Sequence, residues 1–276
     1  MKINIWSDVR CPFCFVGKKK FEKALEKFPH AEKLEITWHS FQLDPQLITQ
    51  PDVNPYEYFA KAKGITIERA KAMHEGAAMA GKEAGIDFNF DDSKVANSYK
   101  AHLLIQLSKT KNLANEMEEA LFEAQFLDGK NIDDEDTLIQ LAKSIGITED
   151  EAKNALQSDE LGYLVKQDMQ LAAQLGINAV PFFVINDKYG ISGAQQPELF
   201  LEALEKTGTL KQEGRSPIFA DFFAGSGVVS RLARQNGYRV IANDWEPYSH
   251  ALNHAILSCT DAPAFKELGG YQKAID

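Results

Sequence analysis

Near the N-terminus an alternating run, Lys2-Ile3-Asn4-Ile5-Trp6, gives way within a few positions to Cys11-Pro12-Phe13-Cys14, and this junction constrains the fold more than any other stretch. The alternation is the period-2 mark of a strand. Beyond it, Phe15, Val16, Phe21, Leu25 and Phe28 recur at near-helical spacing, so the cysteine pair opens a helix. Pro12 suits the first helical turn, where its missing N–H is not needed. A second strand is expected at Leu34-Glu35-Ile36-Thr37-Trp38-His39. Strand, helix, strand is a β-α-β start and predicts an α/β fold.

The texture then changes. From about 44 to 174 the chain reads as helical, with apolar stripes at 68–83, 93–109, 112–127, 135–141 and 149–157. Ser158-Asp159 supplies an N-cap for a long helix over 161–175, which Gly176 stops. Strand character resumes at 182–186, turns at Asn186-Asp187 and returns over 189–193, and a closing helix is expected at 197–206. The polar, Gly-containing stretch that follows reads as a linker. Beyond it come a strand at 218–222, a glycine turn, a helix at 228–236 and a strand at 239–242.

The 276 residues allow one large domain or two ordinary ones, and 44% hydrophobic with 25% charged residues is a globular profile. No apolar run approaches the roughly 18–20 residues of a membrane span. Met1 to Trp6 already alternates like a strand, so a secretory leader is not expected and the expected location is the cytoplasm. A formal charge of −10 argues against a nucleic-acid partner held by a broad basic surface. Three cysteines, at 11, 14 and 259, are too few for a disulfide scaffold.

Thiol chemistry is the favoured reading of the C-x-x-C. The thiolate is the nucleophile, and unpaired N–H groups at a helix N-terminus favour negative charge at Cys11. One turn on, Cys14 can close a disulfide and release a trapped mixed-disulfide substrate. The alternatives are zinc, which usually wants four ligands while His250, His254 and Cys259 lie far away in sequence, and two buried core thiols. Pro181, at the mouth of the apolar strand after Ala179-Val180, fits either a trans strand start or a cis turn. A cis turn facing the thiols would leave the Val180 backbone open to an extended substrate.

Residues 1 to about 210 resemble the DsbA-like thioredoxin superfamily, in particular its cytoplasmic FrnE-type branch. The resemblance rests on Ser7-Asp8 before the cysteine motif, Ser40-Phe41-Gln42-Leu43-Asp44-Pro45, Val180-Pro181-Phe182-Phe183 and Gly190-Ile191-Ser192-Gly193-Ala194-Gln195. It implies a thioredoxin fold at 1–44 and 175–207, split by a helical insertion at 45–174. It also implies a protein disulfide oxidoreductase or isomerase, with Cys11 attacking, Cys14 resolving and Pro181 in cis facing them. Pro12, Phe13 and Val180 would meet the substrate. Protein thiols and disulfides are the expected partners, with glutathione or a thioredoxin-type protein for recycling. No organic cofactor is required, since the dithiol holds the electrons.

A related branch, similar to kappa-class glutathione transferases and 2-hydroxychromene-2-carboxylate isomerases, generally has serine where Cys11 stands; the retained dithiol favours exchange. A redox-independent polypeptide holdase is a third reading, and its holding would survive loss of Cys11. His39 and His102 read as structural or surface residues rather than general bases. Lys18-Lys19-Lys20 reads as a solvated face.

After a linker at 208–216, residues 217–276 read as a small Rossmann-like βαβ fragment. Asp221-Phe222-Phe223-Ala224-Gly225-Ser226-Gly227 and Asn243-Asp244 are similar to the methionine-end loop and ribose carboxylate of S-adenosylmethionine-dependent DNA adenine methylases. That would give Asp221, Gly225, Gly227 and Asp244 a vestigial cofactor role, although a glycine turn that only packs strand on helix fits equally well. Ser230 stands at the third glycine of a dinucleotide fingerprint, which weakens an NAD reading. The family's (D/N)-P-P-(Y/F) motif is missing. The expectation is therefore a truncated, catalytically dead methyltransferase fragment that does not bind S-adenosylmethionine.

Overall fold

The structure is a computed structural model that describes residues 1–29 and 31–210, with side chains to 207, and the backbone of 218–221 and 239–242. The chain divides into two compact units, Met1–Gly214 and Arg215–Asp276.

In the first unit, β1 (Lys2–Ser7), α1 (Pro12–Leu25) and β2 (Glu35–Ser40) form the β-α-β start. β1 and β2 run parallel, with Ile5 opposite Trp38. On its other side β1 pairs antiparallel with β3 (Phe182–Ile185), Ile5 facing Phe183, and β3 pairs antiparallel with β4 (Tyr189–Ser192). The turn between β3 and β4 uses Asn186 and Asp187, both at positive φ (52° and 54°), where these residue types are tolerated best. Strands 1 and 3 thus lie side by side although the whole insertion separates them in sequence.

Between β2 and β3 lie seven helices: α2 (Pro55–Lys63), α3 (Ile67–Ala84), α4 (Tyr99–Lys109), α5 (Ala114–Phe126), α6 (Glu135–Ser144), α7 (Glu149–Leu156) and α8 (Asp159–Gln174). Side-chain caps start several of them. Asn54 accepts from the Tyr56 and Glu57 amides, Thr148 and Glu151 form a reciprocal box, and Ser158 accepts from Leu161 N at 3.2 Å. α9 (Pro197–Leu210) closes the unit and runs past the expected end at 206 into the stretch read as linker. α1 packs on α9, with the Phe21 ring 5.3 Å from Phe183 and 5.4 Å from Phe200.

One carboxylate of the insertion gathers several bonds to the end of β2. Asp168 on α8 accepts from Ser40 N (2.9 Å), Gln106 Nε2 (2.6 Å) and Lys109 Nζ (3.0 Å), and lies 2.6 Å from His39 Nδ1. Burial opposes its charge, but His39, Lys109 and the Ser40 amide hold its pKa well below the usual carboxylate range. His39 in turn stacks on Trp6, ring centroids 4.4 Å apart.

In the second unit, β5 (Ile218–Asp221) and β6 (Arg239–Ala242) pair in parallel, Ile218 opposite Arg239 and Asp221 opposite Ala242. Gly225, Gly227, Asp244 and the expected helix at 228–236 lie outside the described residues.

Candidate active site

The chain leaves β1 through a turn organised by Asp8. Its backbone carbonyl accepts from Cys11 N at 2.8 Å, and its carboxylate accepts from Arg10 N (3.1 Å) and Leu43 N (2.8 Å). Cys11 is then the N-cap of α1, with Pro12 following and no side chain capping the helix. The Cys11 carbonyl accepts from Cys14 N at 3.0 Å, which opens the helix.

The Val180–Pro181 peptide bond is cis. Cys11 Sγ donates to Val180 O at 3.5 Å, and the Pro181 carbonyl accepts from Gly193 N at 2.8 Å. Both thiols are free and buried, Cys11 6% and Cys14 1% exposed. Burial pushes the Cys14 thiol well up, and neighbouring Cys11 raises it further. Two apolar side chains stand open close by: Phe13, between the cysteines and 44% exposed, and Leu43, 50% exposed, whose amide Asp8 holds. The structure therefore brings Cys11, Pro12, Phe13, Cys14, Val180 and Pro181 into one locality. Such a locality can hold a disulfide, attack one, and meet an extended chain.

Sequence reasoning gave three residues here no part. Asp8 was noted only within Ser7-Asp8, yet it is fully buried and builds the cysteine turn. His102 is fully buried and Glu118 nearly so, and both come from the insertion. The basic run also departs from expectation. Lys18 and Lys20 are buried, and Lys18 reaches Glu22 (2.6 Å) and Glu119 (2.5 Å). A helix packed against both the sheet and the insertion has little solvated face left.

Asp221 ends β5, apart in sequence from the cysteines. Among the described residues no group of three or more His, Cys, Asp or Glu could hold a metal ion, and no helix is long and apolar enough to cross a membrane. His250, His254 and Cys259 lie outside the described residues.

Residues 202–270 match the D12 class N6 adenine-specific DNA methyltransferase family, and residues 2–205 match the DSBA-like thioredoxin domain. A curated relative, the uncharacterized protein YwbO of Bacillus subtilis, is 29% identical over 204 residues, covering 73% of this chain and 94% of its own. The crystal structure of a probable DsbA oxidoreductase from Streptomyces coelicolor is 32% identical, covering 79% of this chain and 92% of that one, with a TM-score of 0.70. The cytosolic disulfide reductase DsbM from Pseudomonas aeruginosa, determined with glutathione, shares the fold at 16% identity and a TM-score of 0.55, covering 76% of this chain and 100% of that one. With a β-α-β start, a helical insertion and a returning hairpin around the cysteine pair, the chain belongs to the DSBA-like thioredoxin domain family.

Proposed function

We propose that the chain is a thiol–disulfide oxidoreductase acting on protein disulfides through Cys11 and Cys14. The observation that carries this reading is the Cys11 Sγ contact to Val180 O, 3.5 Å, at a helix N-terminus and beside Pro181. It puts a cysteine at a start of a helix, where negative charge is favoured, against backbone that an extended substrate can reach. Cys11 attacks a substrate disulfide, and Cys14 attacks Cys11 to release the reduced substrate. Run backward, the oxidised pair passes its disulfide to a substrate dithiol. Pro12, Phe13 and the Val180 backbone meet the substrate.

The dithiol carries two electrons, so the reaction draws on no organic cofactor; glutathione or a thioredoxin-type protein restores the starting state. The reading places this work in the cytoplasm.

Insulin reduction and repair of scrambled ribonuclease test the reading. Cys11→Ser abolishes both, and Cys14→Ser accumulates mixed disulfides through Cys11. Full activity in Cys11→Ser would overturn the thiol mechanism. Glutathione-dependent isomerisation without dithiol cycling, or holding of unfolded protein that survives Cys11→Ser, would replace it.

A further inference from the structure

A cavity of about 350 Å³ opens within the helical insertion, and Cys11, Cys14, Val180 and Pro181 are not among the residues that line it. One wall is α3, whose Lys71, His74, Glu75 and Ala78 stand at i, i+3, i+4 and i+7, the spacing of a single helix face. Tyr56, in the first turn of α2, and Phe88 and Phe90, in the segment after α3, supply most of the rest. Aromatic walls with a few polar groups, in a volume of a few hundred Å³, are the make-up of a small-molecule site.

The walls hold one another in place. The His74 ring stands at 73°, 82° and 85° to the rings of Tyr56, Phe59 and Phe90, with centroids 5.0, 5.0 and 4.9 Å away. Phe88 stacks on Phe90 at 4.9 Å, and both meet the Phe126 ring of α5, at 5.4 and 6.0 Å. Between them, Asn89 N donates to Phe126 O at 2.8 Å and ties the segment down. At the other side Tyr56 Oη donates to Asp91 Oδ1, also at 2.8 Å. A cavity built this way loses little freedom when it is filled.

Its polar groups sort by charge. Two carboxylates, Glu75 and Asp91, share the lining with one ammonium, Lys71. Burial first, then Asp91 and Glu75, push the Tyr56 phenol up to about 12, so the hydroxyl remains a donor and the surroundings at this end are negative. Lys71 Nζ lies 5.7 Å from the centroid of the Tyr56 ring, within cation–π range. That face of the cavity thus already accepts an ammonium. Lys71 is exposed on a flexible four-carbon stem, so another cation can take its place. His74 adds an acceptor. Its Nδ1 lies 2.8 Å from Ala70 O, which can only accept, so Nδ1 carries a hydrogen, and Nε2 has no hydrogen-bond partner among the described residues.

We propose that this cavity binds a small aromatic amine, its ammonium on the Tyr56 ring beside Asp91 and Glu75 and its ring among His74, Phe88 and Phe90. A ring N–H on such a ligand finds its acceptor in His74 Nε2. An aromatic acid of the same size would gain Lys71 but would have to lie against two carboxylates. The site stands apart from the dithiol reading and shares no residue with it.

Tryptamine carries the ring, the ring N–H and the ammonium, and indole-3-propionate replaces the ammonium by a carboxylate. In calorimetric titration of the full chain at low ionic strength, tryptamine should bind about 10-fold more tightly than indole-3-propionate. Ala78→Phe, a substitution at a part-buried position of the α3 wall, should fill the cavity and abolish tryptamine binding. Lys71→Gln removes the resident cation and should tighten tryptamine binding several-fold, whereas a site for anions would weaken. In the nuclear magnetic resonance spectrum, indole protons should show Overhauser contacts to the His74 ring, identified among the six histidines by the signal that His74→Gln loses.

Absence of tryptamine binding overturns the proposal, and so does binding of indole-3-propionate as tight or tighter. Tryptamine binding that survives in folded Ala78→Phe, or that Lys71→Gln leaves unchanged or weaker, overturns it as well. The comparison of the two ligands on the wild-type chain, and the exposed Lys71 substitution, decide the matter even if Ala78→Phe does not fold. Neither result bears on insulin reduction through Cys11 and Cys14, which is measured separately.

Discussion

Gly17 faces the ring of Pro181 so closely that a methyl group added at Gly17 would lie 2.8 Å from Pro181 Cγ and 3.6 Å from the Ala194 backbone. Gly17 is buried in the middle of α1, where glycine costs about 0.5–1 kcal/mol relative to alanine. The close approach of helix and proline loop explains why it stands there. A proline ring is not the free end of a flexible chain, so Gly17→Ala has to move either the loop or the helix. We expect a net loss of about 1–2 kcal/mol, overpacking outweighing the helix gain, and slower insulin reduction. A chemical-denaturation midpoint at or above wild type would show that the contact yields freely.

Asp168 holds the insertion to the sheet through Ser40 N, Gln106, Lys109 and His39. Removing one partner from a buried charged network costs about 3–5 kcal/mol. Its side chain is 13% exposed, so Asp168→Ala should lose about 3 kcal/mol in urea unfolding. The carboxyl is depressed in the folded chain, so its contribution is present above the unfolded carboxylate pKa of about 4 and fades as pH falls below it. The gap in thermal midpoint between wild type and Asp168→Asn should therefore narrow from pH 7 to pH 3. An unchanged gap would contradict the assignment.

Glu118 has the opposite sign. Its folded carboxyl is raised to about 7, so between the unfolded value of about 4.3 and 7 the folded chain binds more protons than the unfolded one. Stability falls with rising pH across that window. Glu118→Gln, which cannot ionise, should compare better with wild type at pH 8 than at pH 5 in thermal unfolding. Equal differences at both pH values would mean that the carboxyl does not titrate there.

Phe13 is 44% exposed between two buried cysteines. An exposed aromatic ring beside a reactive thiol offers a polypeptide apolar contact that a small disulfide does not need. Phe13→Ser should raise KM for reduced or unfolded protein substrates several-fold, and slow protein reduction more than it slows reaction with a small aromatic disulfide. Equal losses on both would assign Phe13 to the thiol chemistry itself.

Asn54 accepts from two amides at the start of α2, and an N-cap of this type contributes about 1 kcal/mol. Asn54→Ala should lose about that amount in denaturant unfolding, while Asn54→Asp should lose little.

β1, α1 and the return hairpin were legible in the sequence because the period changes from 2 to 3.6 beside Cys11 and strand character resumes beside Pro181. The helix α2 was not, since its nine residues carry too little periodicity and only Asn54-Pro55 marks its start. The start of α4 falls at Tyr99 rather than 93 because the preceding residues serve other partners. Val95 O accepts from Gln50 N at 2.8 Å, and Asn97 bonds the Leu47 carbonyl and the Tyr99 amide. The cysteines and Pro181 stood out as residue types. Asp8, His102 and Glu118 did not, because what sets them apart is their meeting across β1, α4 and α5, 94 and 110 positions from Asp8 by their numbers. Lys18 was misread for the same reason, its partner Glu119 being 101 residues away.

The contact between Cys11 and Val180 joins residues 169 positions apart. On a ribosome adding about 5–20 residues per second, the cysteine pair therefore waits roughly 10–30 s before the strand that completes its surroundings is even synthesised. During that interval the thiols belong to a nascent chain without β3, open to whatever disulfides or oxidants are present. A protein built to trade disulfides thus begins as a client for such exchange, and the length of its helical insertion sets how long that period lasts.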